Sequence, residues 1–202
     1  MQRKAITHFF LDVGGVLLTN GWDHHSRKAA AQHFKYDFSE MEMLHGLVFP
    51  LYEMGKLSLD EYLSRVVFYK KRPFTKAQFR AFIFAQSKPY PEMLDLIVQL
   101  KKRHGLKIAV VSNEGREINA HRIRKFKLDR FVDTFISSCY VGVRKPDPDI
   151  FRLALDITQA KHVVYIENTP LFVQVAEELG IRTILHTDYR STAKQLAAWG
   201  LK

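Results

Sequence analysis

A chain of 202 residues, 47% hydrophobic and 26% charged, has ordinary globular composition and can bury one sizeable core, which excludes a disordered or low-complexity protein. Its net charge of +10 and pI near 9.7 favour encounters with anions, yet the clusters Lys70-Lys71-Arg72, Lys101-Lys102-Arg103 and Arg122 to Lys127 lack the interleaved aromatics of a base-stacking surface, so they are read as solvated helix faces and nucleic acid is not expected as a partner. The single cysteine, Cys139, rules out an intrachain disulfide, and the apolar run Phe9–Leu18 is too short and too interrupted for a membrane span or a secretory signal, which together point to the cytoplasm.

The first predicted element is an apolar strand over residues 6–12, ending at Asp12 just before Val13-Gly14-Gly15. From about Thr19 to Pro89 every signal is helical. Three capping boxes are predicted there, Ser39 with Glu42, Ser58 with Glu61 and Thr75 with Gln78, in which a hydroxyl and a carboxylate or amide satisfy each other's orphan amides. Leu59, Tyr62, Leu63, Val66 and Val67 make one apolar stripe, and Phe79, Phe82 and Ile83 another. His24 and His25 are adjacent and cannot face one another on a helix, so they are read as an exposed helix start rather than as metal ligands.

After Pro89 and Pro91 the pattern changes. A helix stops at Gly105 and a strand follows over 107–112; next come a helix from about 114 to 126, a strand over 134–137 and a helix opened by Asp147-Pro148. The chain closes with a strand over 162–166, a helix from Thr169-Pro170 to Gly180, a strand over 182–186 and a last helix reaching Trp199. Cys139 is read as a small buried hydrophobe on a strand leaving the core.

Nearly continuous apolar strands alternating with helices predict an α/β fold: a doubly wound parallel sheet covered on both faces, built from residues 1–18 and 90–202, with residues 19–89 as an inserted helical unit. In such sheets ligands sit at the carboxyl ends of the strands. The residues there are Asp12, Ser112-Asn113, Arg144-Lys145 and Glu167-Asn168. Asp12 breaks an apolar strand, where a carboxylate is costly to bury without a use. Side by side, Gly14 and Gly15 would leave backbone N–H groups open to an anion. Each group alone also has a plain structural reading: Asp12 as a turn residue, Ser112-Asn113 as a helix cap, Lys145 as a solvated cation.

Taken in order, these groups resemble the four motifs of the haloacid dehalogenase (HAD) superfamily: Phe9-Phe10-Leu11-Asp12-Val13-Gly14-Gly15-Val16-Leu17, Val110-Val111-Ser112-Asn113, Val143-Arg144-Lys145-Pro146-Asp147-Pro148, and Val164-Tyr165-Ile166-Glu167-Asn168. Leu51-Tyr52-Glu53-Met54-Gly55-Lys56-Leu57-Ser58 is similar to a segment of that family's helical cap. The resemblance implies a Rossmann-like core with an inserted cap of the subfamily IA type, and a phosphatase acting on a small phosphorylated metabolite through an aspartyl-phosphate on Asp12. It further implies that Ser112 and the Asn113 backbone hold the phosphoryl group with Gly14 and Gly15, that Lys145 neutralises developing charge, and that Mg²⁺ binds to Asp12, the Gly14 carbonyl and the Glu167-Asn168 pair.

Two positions depart from the family pattern. Gly14 stands where phosphatases of the family usually carry a second aspartate as acid and base, and Asn168 stands where an acid usually binds the metal, which removes a negative charge from a hard-cation site. Phe172 replaces a position that is often polar. These departures carry two alternatives: a catalytically impaired relative that binds a phosphorylated ligand or a protein partner, and a metal-free 2-haloacid dehalogenase, for which Arg27 is the sole early arginine of the insert.

Overall fold

A computed structural model describes residues 5–202. Five strands, β1 (His8–Leu11), β2 (Lys107–Ser112), β3 (Thr134–Ser137), β4 (Val163–Glu167) and β5 (Arg182–Leu185), form one all-parallel sheet in the order β3-β2-β1-β4-β5. Ten helices accompany them among the described residues: α1 (His24–Phe34), α2 (Phe38–Glu53), α3 (Leu59–Val66), α4 (Lys76–Ala85), α5 (Pro91–His104), α6 (Arg116–Phe126), α7 (Ser138–Val141), α8 (Asp149–Thr158), α9 (Pro170–Glu178) and α10 (Tyr189–Ala198).

The period of two along each strand sends alternate side chains to opposite faces. Phe9, Leu11, Val110 and Ile166 pack with Ile97 of α5 and Leu196 of α10, while Phe10, Val111 and Tyr165 pack with Phe151 of α8 and Ala176 of α9. Both faces are therefore covered, as the apolar runs predicted. The chain order reverses across β1, where Leu11 is level with Val110 on one side and Ile166 on the other. Asp12 thus emerges at the topological switch point, between the ends of β2 and β4.

Between β1 and α5 lie α1 to α4 and, among the described residues, no strand of the sheet. This segment has an apolar cluster of its own around Trp22, Tyr52, Tyr62, Phe79 and Ile83. Inside it Trp22 Nε1 donates to the Tyr62 hydroxyl (3.0 Å), which lies 2.8 Å from His45 Nδ1. Burial above all holds His45 down at about 3, so its imidazole is neutral and takes the Tyr62 proton as acceptor. The two linkers to the sheet run side by side, with Thr19 N donating to the Lys88 carbonyl and Tyr90 N to that of Leu17, both at 2.9 Å.

Three local readings are corrected. The cap of α2 is Asp37, whose carboxylate accepts from Glu40 N, so Ser39 lies within the helix; the boxes at Ser58-Glu61 and Thr75-Gln78 form as expected. Pro148 is the N-cap of α8 rather than its first residue, and the Asp147 side chain accepts from Asp149 N. Cys139 is buried but sits in the short helix α7, because β3 already ends at Ser137. No helix among the described residues is long and apolar enough to cross a membrane.

Candidate active site

Lys145 is the centre of the site. Its side chain is 1% exposed, and its ammonium donates to Asp12 Oδ1 (2.9 Å), Glu167 Oε2 (2.6 Å) and the Tyr165 hydroxyl (3.0 Å), using all three of its protons. Burial opposes its charge, but the Asp12 and Glu167 carboxylates outweigh burial and hold it above the ordinary lysine value. Asn113 fixes the backbone beneath: its Oδ1 accepts from Lys145 N (2.8 Å) and its Nδ2 donates to the Lys145 carbonyl (2.9 Å).

Asp12 is anchored by its own amide, which donates to the Ile166 carbonyl at 3.1 Å. Burial, and next the Glu167 carboxylate, push its acid up to about 6, against the pull of Lys145 and the Ser112 hydroxyl. Glu167 is fully buried and fully engaged. Its Oε2 takes Lys145 and the Tyr165 hydroxyl, while its Oε1 accepts from the amides of Asn168 and Thr169, both at 2.9 Å. The Asn168 amide group is placed with its nitrogen toward the Gly14 carbonyl (3.1 Å) and Glu167 Oε1 (3.0 Å), the orientation that gives both oxygens a donor.

The site opens into a cavity of about 280 Å³ between the strand ends and the helical segment, lined on the sheet side by Asp12, Gly14, Ser112, Lys145 and Phe172. On the other side stand Trp22, Arg27, Phe49 and Glu53. Arg27 grips Glu42 with two parallel bonds, Nε to Oε2 (2.7 Å) and Nη2 to Oε1 (2.6 Å), and its Nη1 donates to the Trp22 carbonyl (2.7 Å). That grip above all holds the Glu42 acid down at about 2. Glu53, the last residue of α2, is buried and paired with Arg144 (2.8 Å). Its acid is pushed up to about 7 by burial, with Arg144 pulling down and Glu114 pushing up.

Most of the residues singled out in the sequence converge here. Gly15 does not act as expected. Its amide donates to the Leu18 carbonyl (2.7 Å), closing the turn rather than facing the cavity. A Cβ on Gly15, whose φ is +77°, would lie 2.2–3.0 Å from the Asn168 amide group, so glycine is required by that close approach. Arg122 is not part of a solvated basic face either. It is buried, ion-paired with Glu114, and donates to Ser87 Oγ (3.0 Å) and to the carbonyls of Thr19 (3.2 Å) and Asn20 (2.6 Å), joining both linkers to the loop after β2. Tyr165 was missed altogether, although two residues before Glu167 on a strand is the same face.

The residues fit a hard cation in kind but weakly. The Gly14 carbonyl and the Asn168 amide already stand together beside Asp12, and the amide need only turn to offer its oxygen; a single carboxylate, Asp12, would carry the charge. No group of three acidic, histidine or cysteine side chains able to hold a metal forms among the described residues.

The family model described as haloacid dehalogenase-like hydrolase matches residues 6–180. A stretch of 113 residues is 32% identical to bifunctional epoxide hydrolase 2 of Sus scrofa, covering 53% of this chain and 20% of that protein. The phosphorylated carbohydrates phosphatase of Thermotoga maritima is 26% identical over 131 residues, which cover 64% of this chain and 56% of that one. Among solved structures, a HAD family enzyme of Bacteroides thetaiotaomicron in a magnesium complex superposes with a TM-score of 0.76 at 22% identity, over 91% of this chain and 94% of that one. That likeness is one of fold.

Proposed function

The chain belongs to the haloacid dehalogenase-like hydrolases, and from that premise we propose that it is a cytoplasmic phosphatase for a small phosphorylated metabolite, with Asp12 as nucleophile and residues 19–89 as a cap over the site. The observation that carries the reading is Lys145, buried and shared between Asp12 and Glu167 on the floor of a cavity of about 280 Å³. That volume suits a small molecule better than a macromolecule.

In this reading the Asp12 carboxylate attacks phosphorus and the ester oxygen departs; water then cleaves the aspartyl-phosphate. Lys145 fixes the attacking carboxylate and offsets negative charge as it builds on the phosphoryl oxygens. Ser112, buried at the end of β2 and on the cavity wall, donates to one of those oxygens. Asp12, the Gly14 carbonyl and the Asn168 side-chain oxygen would hold Mg²⁺, with Glu167 outside the ligand set because Lys145, Tyr165 and two amides occupy it. When bound, the cation supplies further electrostatic stabilisation of the transferred group.

Arg27 separates this reading from the dehalogenase alternative. Its guanidinium is neutralised by Glu42 and turned to the Trp22 carbonyl, an arrangement unsuited to receiving a halide ion. A screen of phosphorylated metabolites with and without Mg²⁺, run beside 2-chloropropionate, tests the choice. Phosphate release that Asp12→Asn lowers by about 10³-fold or more supports it. Chloride release, or phosphate release indifferent to Asp12, would overturn it.

A further inference from the structure

Resting on the phosphatase reading, we propose that Glu53 supplies the acid–base function for which position 14 has no side chain. In the first step Asp12 forms a bond to phosphorus as the ester P–O bond breaks, and the Glu53 carboxylic acid gives its proton to the departing oxygen. In the second, the Glu53 carboxylate takes a proton from water as the water oxygen bonds to phosphorus and Asp12 is released. Glu53 ends protonated, as it began.

The cavity narrows the choice. Besides Asp12, its lining contains three carboxylates, Asp23, Glu53 and Glu114. Asp23 is engaged as the cap of α1, accepting from Ser26 N at 2.8 Å. Glu114 is locked by Arg122, which it neutralises in the interior. Glu53 differs from both. It stands on the wall opposite the strand ends and is 7% exposed. Its Oε2 lies 2.8 Å from Arg144 Nη2, yet no well-aligned hydrogen bond reaches that oxygen, and Arg144 Nε is likewise buried without an acceptor. Buried polar atoms are seldom left so. Neither of these two atoms is open to the cavity, so a proton passing to or from substrate would use the other carboxyl oxygen of Glu53, Oε1.

The groups facing Glu53 are Arg144 and Lys145, which favour its carboxylate, and Glu114, which opposes it; burial outweighs them and pushes the acid up to about 7. Near neutrality such a group is present in both forms, which is what donating a proton in one step and accepting one in the next requires.

The test compares kcat/KM of the native protein and Glu53→Gln on an alkyl phosphate, glycerol phosphate, and on 4-nitrophenyl phosphate, whose leaving group departs without a proton. The expected loss is about 10²-fold or more on the alkyl ester and no more than about threefold on the aryl ester. Equal losses on the two overturn the role for Glu53 while leaving the phosphatase reading intact. Absence of turnover of either ester by the native protein overturns that reading, and this role with it. Should Glu53→Gln fail to fold, Arg144→Gln serves instead: removing the cation that favours the carboxylate moves the alkaline limb of the alkyl-ester profile to higher pH, and an unmoved limb overturns the proposal.

Discussion

The side-chain amide of Asn168 stands 3.1 Å from the carbonyl oxygen of Gly14, with Glu167 Oε1 a further acceptor at 3.0 Å. An aspartate in its place would set a carboxylate against two oxygens, a repulsion that only a cation among them relieves. Asn168→Asp is therefore expected to bind Mg²⁺ at least about tenfold more tightly than the native protein, and to melt lower than it in chelator but recover when Mg²⁺ is added. Calorimetric titration and paired melts read both effects. Equal affinities would remove residue 168 from the ligand set.

Lys145→Met leaves Asp12 and Glu167 buried without their shared cation. Breaking a buried pair on one side costs about 3–5 kcal/mol. Because Lys145 draws the Asp12 acid down, its loss raises that acid further, and the folded state then holds protons that the unfolded state has released. Stability of the variant relative to the native protein should accordingly be worse at pH 8 than at pH 5. Urea unfolding at the two values measures it, and a gap that does not change with pH contradicts the account.

His45 makes the native protein sensitive to acid. Its folded value near 3 lies below the ordinary 6.5, chiefly through burial, so the unfolded chain takes up the proton first. The contribution is complete above pH 6.5 and declines as pH falls toward 3, by up to about 1.4 kcal/mol per pH unit. Replacing His45 with Gln should flatten the stability profile between pH 6.5 and 4. Identical slopes in the two proteins would show that His45 protonates without unfolding.

Gly21 has a φ of +77°, and a Cβ there would lie 2.0 Å from Arg122 Nη2. Gly21→Ala thus combines backbone strain with displacement of a buried guanidinium and is expected to cost about 2–4 kcal/mol. Gly46→Ala is the control, since a Cβ there meets nothing within 4 Å and the site is helical. Comparable melting temperatures for the two variants would argue against the clash.

The sheet was legible because its strands are short apolar runs bounded by turn residues; residues 107–112 and 134–137 are strands with the expected limits. Asp12 and Glu167 could be placed at strand ends, and from there the parallel sheet brings them together; Lys145 was expected at a strand end too, but β3 stops at Ser137 and Lys145 reaches the site from the loop between α7 and α8. Contacts fixed by tertiary structure were not legible. Arg122 sits in a basic run that local composition assigns to solvent, and its position one helical turn after Ile118, which is also buried, was the available hint. Glu53 lies on a helix whose partner, Arg144, comes from a distant loop, and no local period announces that pairing. The role of Gly15 was not legible because a glycine pair resembles an anion cradle whether an amide faces outward or, as that of Gly15 does, closes a turn.

Both crossings between sheet and helical segment converge on one guanidinium: Thr19 and Asn20 on the way out, Ser87 on the way back, with Arg122 reaching them from α6. The joint is therefore shared property, with half of its parts encoded far from the segment it holds. A chimera that exchanged residues 19–89 for the corresponding insert of a relative would import foreign linkers onto a resident arginine and its glutamate. Such an exchange would keep its joint only if residues 114 and 122 travelled with the segment.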